Sequence, residues 1–178
     1  FVGNAGTAAR FLSAFVCLGK GAYRLSGVPR MHQRPQAALF SALRQLGYQI
    51  DATNDHLPAV IQGTGAPKPG VCQVSIAESS QFASALLLSA AHGGWTVEIE
   101  GHGDSEEAPY IAMTERLIEA FPKTGGTFQI EPDASSGSYF WGAGWLMANR
   151  HRILSPSPAR PWPVEVLNWP VSGWQIDA

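Results

Sequence analysis

One interval recurs in this chain. A helix opening built of small residues is followed 29 residues later by a proline that starts another helix, from Gly6 to Pro35 and again from Ser80 to Pro109. A repeated interval of this kind is the mark of a structural unit used more than once, and it restricts the fold more than any single motif. Apolar residues at helical spacing, with glycine or proline at the ends, predict helices over Thr7 to Leu18, Gln36 to Leu46, Ser79 to Ala91 and Pro109 to Phe121. Between them, short β-type stretches predict strands at Ala22 to Ser26, Tyr48 to Asp51, Ala59 to Gln62, Val71 to Ile76 and Trp95 to Glu100. Asn54 and Asp55 read as a polar turn, and Gly63 to Gly70 as a connector.

A third copy is expected near Thr127, with a strand over Thr127 to Glu131, a helix opening at Ala134, an exposed loop over Arg150 to Pro163 and a strand over Val164 to Leu167. The expected division is therefore 1–63 for one unit, 70–126 for a second, shortened one, and 127–178 for an incomplete third. The fold class this implies is α/β, made of repeated β-α-β-α-β-β units with helices packed on mixed sheets.

Each copy joins a strand to a helix through Gly, Ser, Thr or Asn, so several helix N-termini would face one region. Their unpaired amides and positive dipole ends suit an anion without many lysines. That matters because a net charge of −2 and a pI near 6.2 give no bulk attraction to nucleic acid or to an anionic membrane. The apolar run from Phe82 to Ala91 is too short to span a bilayer. Cys17 and Cys72 have no His or Cys at metal-ligand spacing and read as buried thiols in a reducing cytoplasm, with no metal site.

Five stretches carry a family resemblance, in order: G-N-A-G-T-A-A-R from Gly3, G-V-P-R-M-H-Q-R-P from Gly27, S-S-Q-F-A-S-A-L-L-L-S-A from Ser79, P-Y-I-A-M-T from Pro109 and D-A-S-S-G-S-Y-F from Asp133. Together they resemble the successive signatures of the 5-enolpyruvylshikimate-3-phosphate (EPSP) synthase family. The resemblance implies the enolpyruvyl transferase fold, in which each of two domains holds three copies of the unit and the 127–178 segment starts the second domain. It also implies a cytoplasmic enzyme of aromatic amino acid biosynthesis, moving the enolpyruvyl group of phosphoenolpyruvate to the 5-hydroxyl of shikimate 3-phosphate without metal or cofactor.

By the same resemblance, Asn4, Gly6 and Thr7 match the phosphoenolpyruvate loop, Arg30 an arginine that grips phosphoenolpyruvate, and Ser79, Ser80 and Gln81 the segment that binds shikimate 3-phosphate, with Gln81 also near the enolpyruvyl group. Read without the family, Ser79 and Ser80 are helix caps, Gln81 a solvated amide and Arg30 a loop charge. Arg10, Arg34 and Asp133 also fall on motif positions, where pairing with each other or with helix ends is the expected role. His32 and His102 are expected to be solvated loop residues.

Four departures qualify the resemblance. Glu107 stands where the family has a phosphate-binding serine, leaving Ser105 to take that role through a loop shift or the site to bind phosphate poorly. Ala9 and Phe11 replace the usual Met and Pro around Arg10. The second unit reads as cut short after Phe121, so sheet edges would be open to self-association. The family's lysine-serine-arginine unit would precede Phe1 and its catalytic acids would follow Ala178, so no catalytic residue is expected here and the chain alone should be inactive. Two other readings remain: a non-catalytic anion-binding or assembly module on the same fold, and the related UDP-N-acetylglucosamine enolpyruvyl transferase. The latter uses a loop cysteine, whereas Cys17 and Cys72 fall in an expected helix and strand.

Overall fold

The computed structural model describes residues 1–101, 106–154 and 164–176, and the chain divides into two compact units, Phe1–Glu119 and Ala120–Ala178. The first unit opens with α1 (Gly6–Phe15), continues through a 3₁₀ turn at Val16–Leu18 into β1 (Lys20–Leu25), and passes a second 3₁₀ turn at Met31–Gln33 before α2 (Ala37–Gln45). Next come β2 (Gln49–Ala52), β3 (Ala59–Thr64), β4 (Gly70–Ser75), α3 (Gln81–Gly93), β5 (Trp95–Glu100) and α4 (Ala108–Ala120).

Strands β1, β3 and β2 form an antiparallel sheet in that spatial order, with Leu25 opposite Ala59 and Ile50 opposite Ile61. The β2–β3 connection bends at Asn54 and Asp55, both left-handed at φ 52° and 55°, a conformation that Asn and Asp tolerate better than most residues. Arg44 fixes that bend, contacting Asp55 at 2.8 Å and donating to the Ile50 carbonyl at 3.2 Å. Strands β4 and β5 pair in parallel, which requires a crossover, and α3 supplies it. α3 ends where Gly94 takes a left-handed φ of 72° that a side chain would resist.

The core lies in this unit. α1 buries Ala9, Ser13 and Ala14, α2 buries Leu39, Phe40 and Leu43, and α3 buries Phe82, Ala83 and Leu86. α1 packs on α3 and α2 on β4, so the elements on either side of the 64–70 connection share one interior. Tyr48 and Trp95 meet edge to face at 5.7 Å, a geometry aromatic quadrupoles favour. Both thiols are buried, Cys17 in the turn after α1 and Cys72 in β4, and burial pushes them up to about 12 and about 11.

The second unit departs from expectation. Residues 127–131 form no strand: Gly125 and Gly126 turn the chain at φ 84° and 134°, and Glu131 is tied by its side chain to the Ser172 amide at 3.0 Å and hydroxyl at 2.7 Å. Val164 to Leu167 is likewise not a strand. It lies along α5 (Ala134–Leu154), where a Cβ on Gly137 or Gly144 would collide with Trp169 or Val164. Trp141 of α5 stacks on Trp169 at 4.2 Å. α5 also runs through 150–154, the start of the expected exposed loop, while the remainder, 155–163, is outside the described residues. Among the described residues, no helix is long and apolar enough to cross a membrane.

Candidate active site

α1 and α3 begin side by side, and their first residues wall a cleft of about 820 Å³ within the first unit. Thr7 and Arg10, three residues apart on α1, face the same way. Both meet Gln81: its amide Nε2 donates to the Thr7 hydroxyl at 3.0 Å, and its Oε1 accepts from Arg10 Nη1 at 2.8 Å. Gln81 is therefore a bridge from α3 to α1 rather than a solvated amide. Ser79 Oγ accepts from Arg10 Nη1 and from the Gln81 amide, each at 3.3 Å.

Arg10 is 4% exposed, lies 5.0 Å from the centre of the Phe82 ring, and keeps Nε buried without a partner. Burial weakens its hold on its proton, Arg34 acts in the same direction, and Glu78 opposes them. Arg30 and Arg34 line the same cleft, Arg30 donating to Gln33 at 3.1 Å and Arg34 to the Asn4 carbonyl at 3.5 Å. Among the described residues no carboxylate lies within ion-pair distance of these three arginines. Clustered guanidinium forks that are not ion-paired to a carboxylate match an anion of planar or tetrahedral oxygen geometry.

The two helix openings differ. α1 is preceded by Ala5, which has no side-chain cap, and among the described residues the amides of Gly6, Thr7 and Ala8 have no acceptor. At α3 the Ser80 amide donates to Glu107 Oε2 at 2.9 Å, Gln81 to Ser79 Oγ, and Phe82 to the Ser79 carbonyl at 3.4 Å. Ser84 and Thr114 hydroxyls, 2.8 Å apart, seat α4 on α3 and so bring Glu107, just before α4, to that opening. Hydrogen bonds from the Ser80 hydroxyl and amide hold the Glu107 carboxyl below the usual glutamate range.

A Cβ on Gly6 would meet the Arg34 guanidinium, so the missing side chain lets Arg34 pack against the start of α1. Of the roles expected for Arg10 and Asp133, Asp133 takes the helix-end one. Arg10 turns to Ser79 and Gln81, and Asp133 caps α5, accepting the Ser135 amide at 3.1 Å and the Ser136 hydroxyl at 2.5 Å. His32 is an organiser of its loop, its Nε2 accepting the Gly27 amide at 3.3 Å. Ser105 and His102 are outside the described residues. Sequence reasoning gave Arg10 no place in the cleft wall; the signal for it was its one-turn spacing from Thr7.

Residues 1–123 match the family model for EPSP synthase (3-phosphoshikimate 1-carboxyvinyltransferase). The chain belongs to the EPSP synthase family. It is 40% identical over 174 residues to a 3-phosphoshikimate 1-carboxyvinyltransferase of Vibrio cholerae, with 86% of this chain and 41% of that protein aligned. A relative of the same name from Trichormus variabilis is 37% identical over 173 residues, covering 86% of this chain and 40% of the relative. The chain thus spans about two fifths of the length of the curated relatives it matches. Two solved structures of EPSP synthase from Acinetobacter baumannii resemble it. One has a TM-score of 0.53 and 27% identity over 72% of this chain and 27% of that one. The other has a TM-score of 0.56 and 24% identity over 80% and 36%, a likeness of fold. The α/β fold is that of EPSP synthases, with helices packed against the sheets.

Proposed function

We propose that this chain carries one half of an enolpyruvyl-transfer site, the reaction named in its relatives as 3-phosphoshikimate 1-carboxyvinyl transfer in the shikimate pathway. Phosphoenolpyruvate takes the open amides of Gly6 and Thr7 at the start of α1, with Asn4 in the loop before it and Arg30 across the cleft, and shikimate 3-phosphate lies along Ser79, Ser80 and Gln81. The observation that carries the reading is Gln81, held between Arg10 and Thr7 where the two openings meet. In the reaction the 5-hydroxyl gives up its proton as its oxygen bonds to the enol carbon of phosphoenolpyruvate and the methylene takes up a proton; the resulting methyl then loses a proton as the C–O bond to phosphate breaks, leaving the enol ether and hydrogen phosphate. Residues 1–63 and 70–126 are read as copies within one domain, and 127–178 as the opening of the other.

This cleft supplies orientation and anion binding but no identified acid or base for the proton steps. General acid–base groups contribute about 10² to 10⁴ in rate and orientation by an opposing domain contributes more, so the isolated chain binds without turning over. Calorimetry with phosphoenolpyruvate in the presence of shikimate 3-phosphate tests the reading. Removing a charge-assisted contact by Arg30→Ala should weaken binding about tenfold or more. Arg24→Ala, on β1 outside the cleft, should leave it unchanged. Equal loss in both variants, or none in either, would refute the assignment. Burial of both cysteines argues against the cysteine-dependent relative acting on UDP-N-acetylglucosamine.

A further inference from the structure

We infer that Glu107 sets the cleft's ligand specificity: its carboxylate is a tethered anion filling the seat at the α3 opening, so that this position disfavours a phosphate dianion while leaving an unphosphorylated hydroxy acid unaffected. The inference rests on the proposed half-site and refines it.

A helix N-terminus attracts an anion through amides that its own chain leaves unpaired. At α1 that condition holds, since Gly6, Thr7 and Ala8 have no acceptor among the described residues. At α3 it does not. Ser80, Gln81 and Phe82 all donate within the chain, and the one acceptor that comes from another element is the Glu107 carboxylate, 27 residues away in sequence and 2.9 Å from the Ser80 amide. A phosphate oxygen seeking the Ser80 amide must displace a charge that remains attached nearby.

The other charged and titratable groups lining the cleft are Arg10, Arg30, Arg34, Glu78 and Tyr110. Glu78 adds a second negative charge to the α3 side, and the arginines come from α1 and from residues 30–34. Arg10, 4% exposed, holds Ser79 and Gln81 at this junction through Nη1 while its buried Nε keeps no partner. The cleft therefore has one anion position open, beside α1, and one already filled. Because Ser80 keeps the Glu107 carboxyl below its usual range, the seat is filled by a charged group at neutral pH.

The test compares shikimate 3-phosphate with shikimate, by calorimetry on the full chain and on Glu107→Gln and Glu107→Ser, with circular dichroism to confirm folding. Glu107→Gln keeps the size and an acceptor, so it separates charge from shape. The expected result is about tenfold tighter binding of shikimate 3-phosphate in both variants, with shikimate changed by less than about twofold. Shikimate 3-phosphate binding that is unchanged or weaker in both variants would overturn the role of Glu107 and leave the half-site standing. Equal tightening for both ligands would mark a merely loosened loop and also overturn it. Absence of binding by wild type and by both folded variants at millimolar ligand would overturn the half-site and this inference together.

Discussion

The residues before Glu119 and those after Ala120 are both rich in apolar side chains, yet they use them differently. In the first unit Phe40, Phe82, Leu39 and Leu43 are fully buried, and the contiguous core is drawn entirely from it. In the second, Tyr139, Phe140, Leu146 and Met147 of α5 are exposed, and burial among the described apolar side chains is confined to small ones such as Ala134 and Pro170. The cause is the pattern. On α1 and α2 apolar and polar residues fall on opposite faces, whereas α5 reads Y-F-W-G-A-G-W-L-M with aromatic residues around its circumference. An apolar face stabilises a fold only if another element covers it, so burial energy concentrates in the first unit.

The largest effect should come from attacking that core. Phe82→Ala removes a ring that is fully buried and backs the Arg10 guanidinium. It should cost about 3–5 kcal/mol, a large part of the total of about 5–15 kcal/mol expected for a domain. Hydrogen exchange would then accelerate across α1 and α3 together. Phe140→Ala on α5, where the ring is 63% exposed, should change stability by less than about 0.5 kcal/mol. Comparable losses at the two positions would dissolve the contrast between the units.

The same contrast explains what the chain made legible. Helices α1 to α4, strands β1 to β5 and the bend at Asn54 and Asp55 follow from local pattern and turn chemistry, because in the first unit each local preference agrees with what it packs against. Thr127 to Glu131 has strand composition but lacks a neighbouring strand, and a strand exists only through its ladder; Glu131 is bound to Ser172 instead. The Gln81 bridge joins residues 71 and 74 positions apart and has no local signal. Glu107 could be seen as an acid in an anion site. Only the geometry puts its carboxylate on the Ser80 amide.

A smaller effect is expected where α5 begins. Asp133 accepts the Ser135 amide and the Ser136 hydroxyl, and these bonds hold its carboxyl below the usual aspartate range. Capping by a residue's own side chain is local, so Asp133→Ala should speed exchange in the first turn of α5 by about threefold, leaving α1 and α3 unaffected. Altered exchange in α3 would mean that the Asp133 cap is not local to α5.

The smallest effect contrasts the α3 opening with that of α5, since α3 takes its acceptor from Glu107 on another element. A carboxyl held below its ordinary value contributes stability that is fully present above the unfolded value and is lost as pH falls through the folded one. For Glu107 that window lies below about pH 4.5. Glu107 is partly exposed and screened, so the contribution should be under about 1 kcal/mol. Glu107→Gln should therefore lower the unfolding midpoint slightly at pH 7 and flatten its decline as pH falls below about 4.5, read in the exchange of α3 and α4. The first turn of α5, governed by Asp133, should keep its own acid dependence unchanged in the same variant. If the α3 response to acid is identical in wild type and variant, the carboxylate on the Ser80 amide does not stabilise that helix opening.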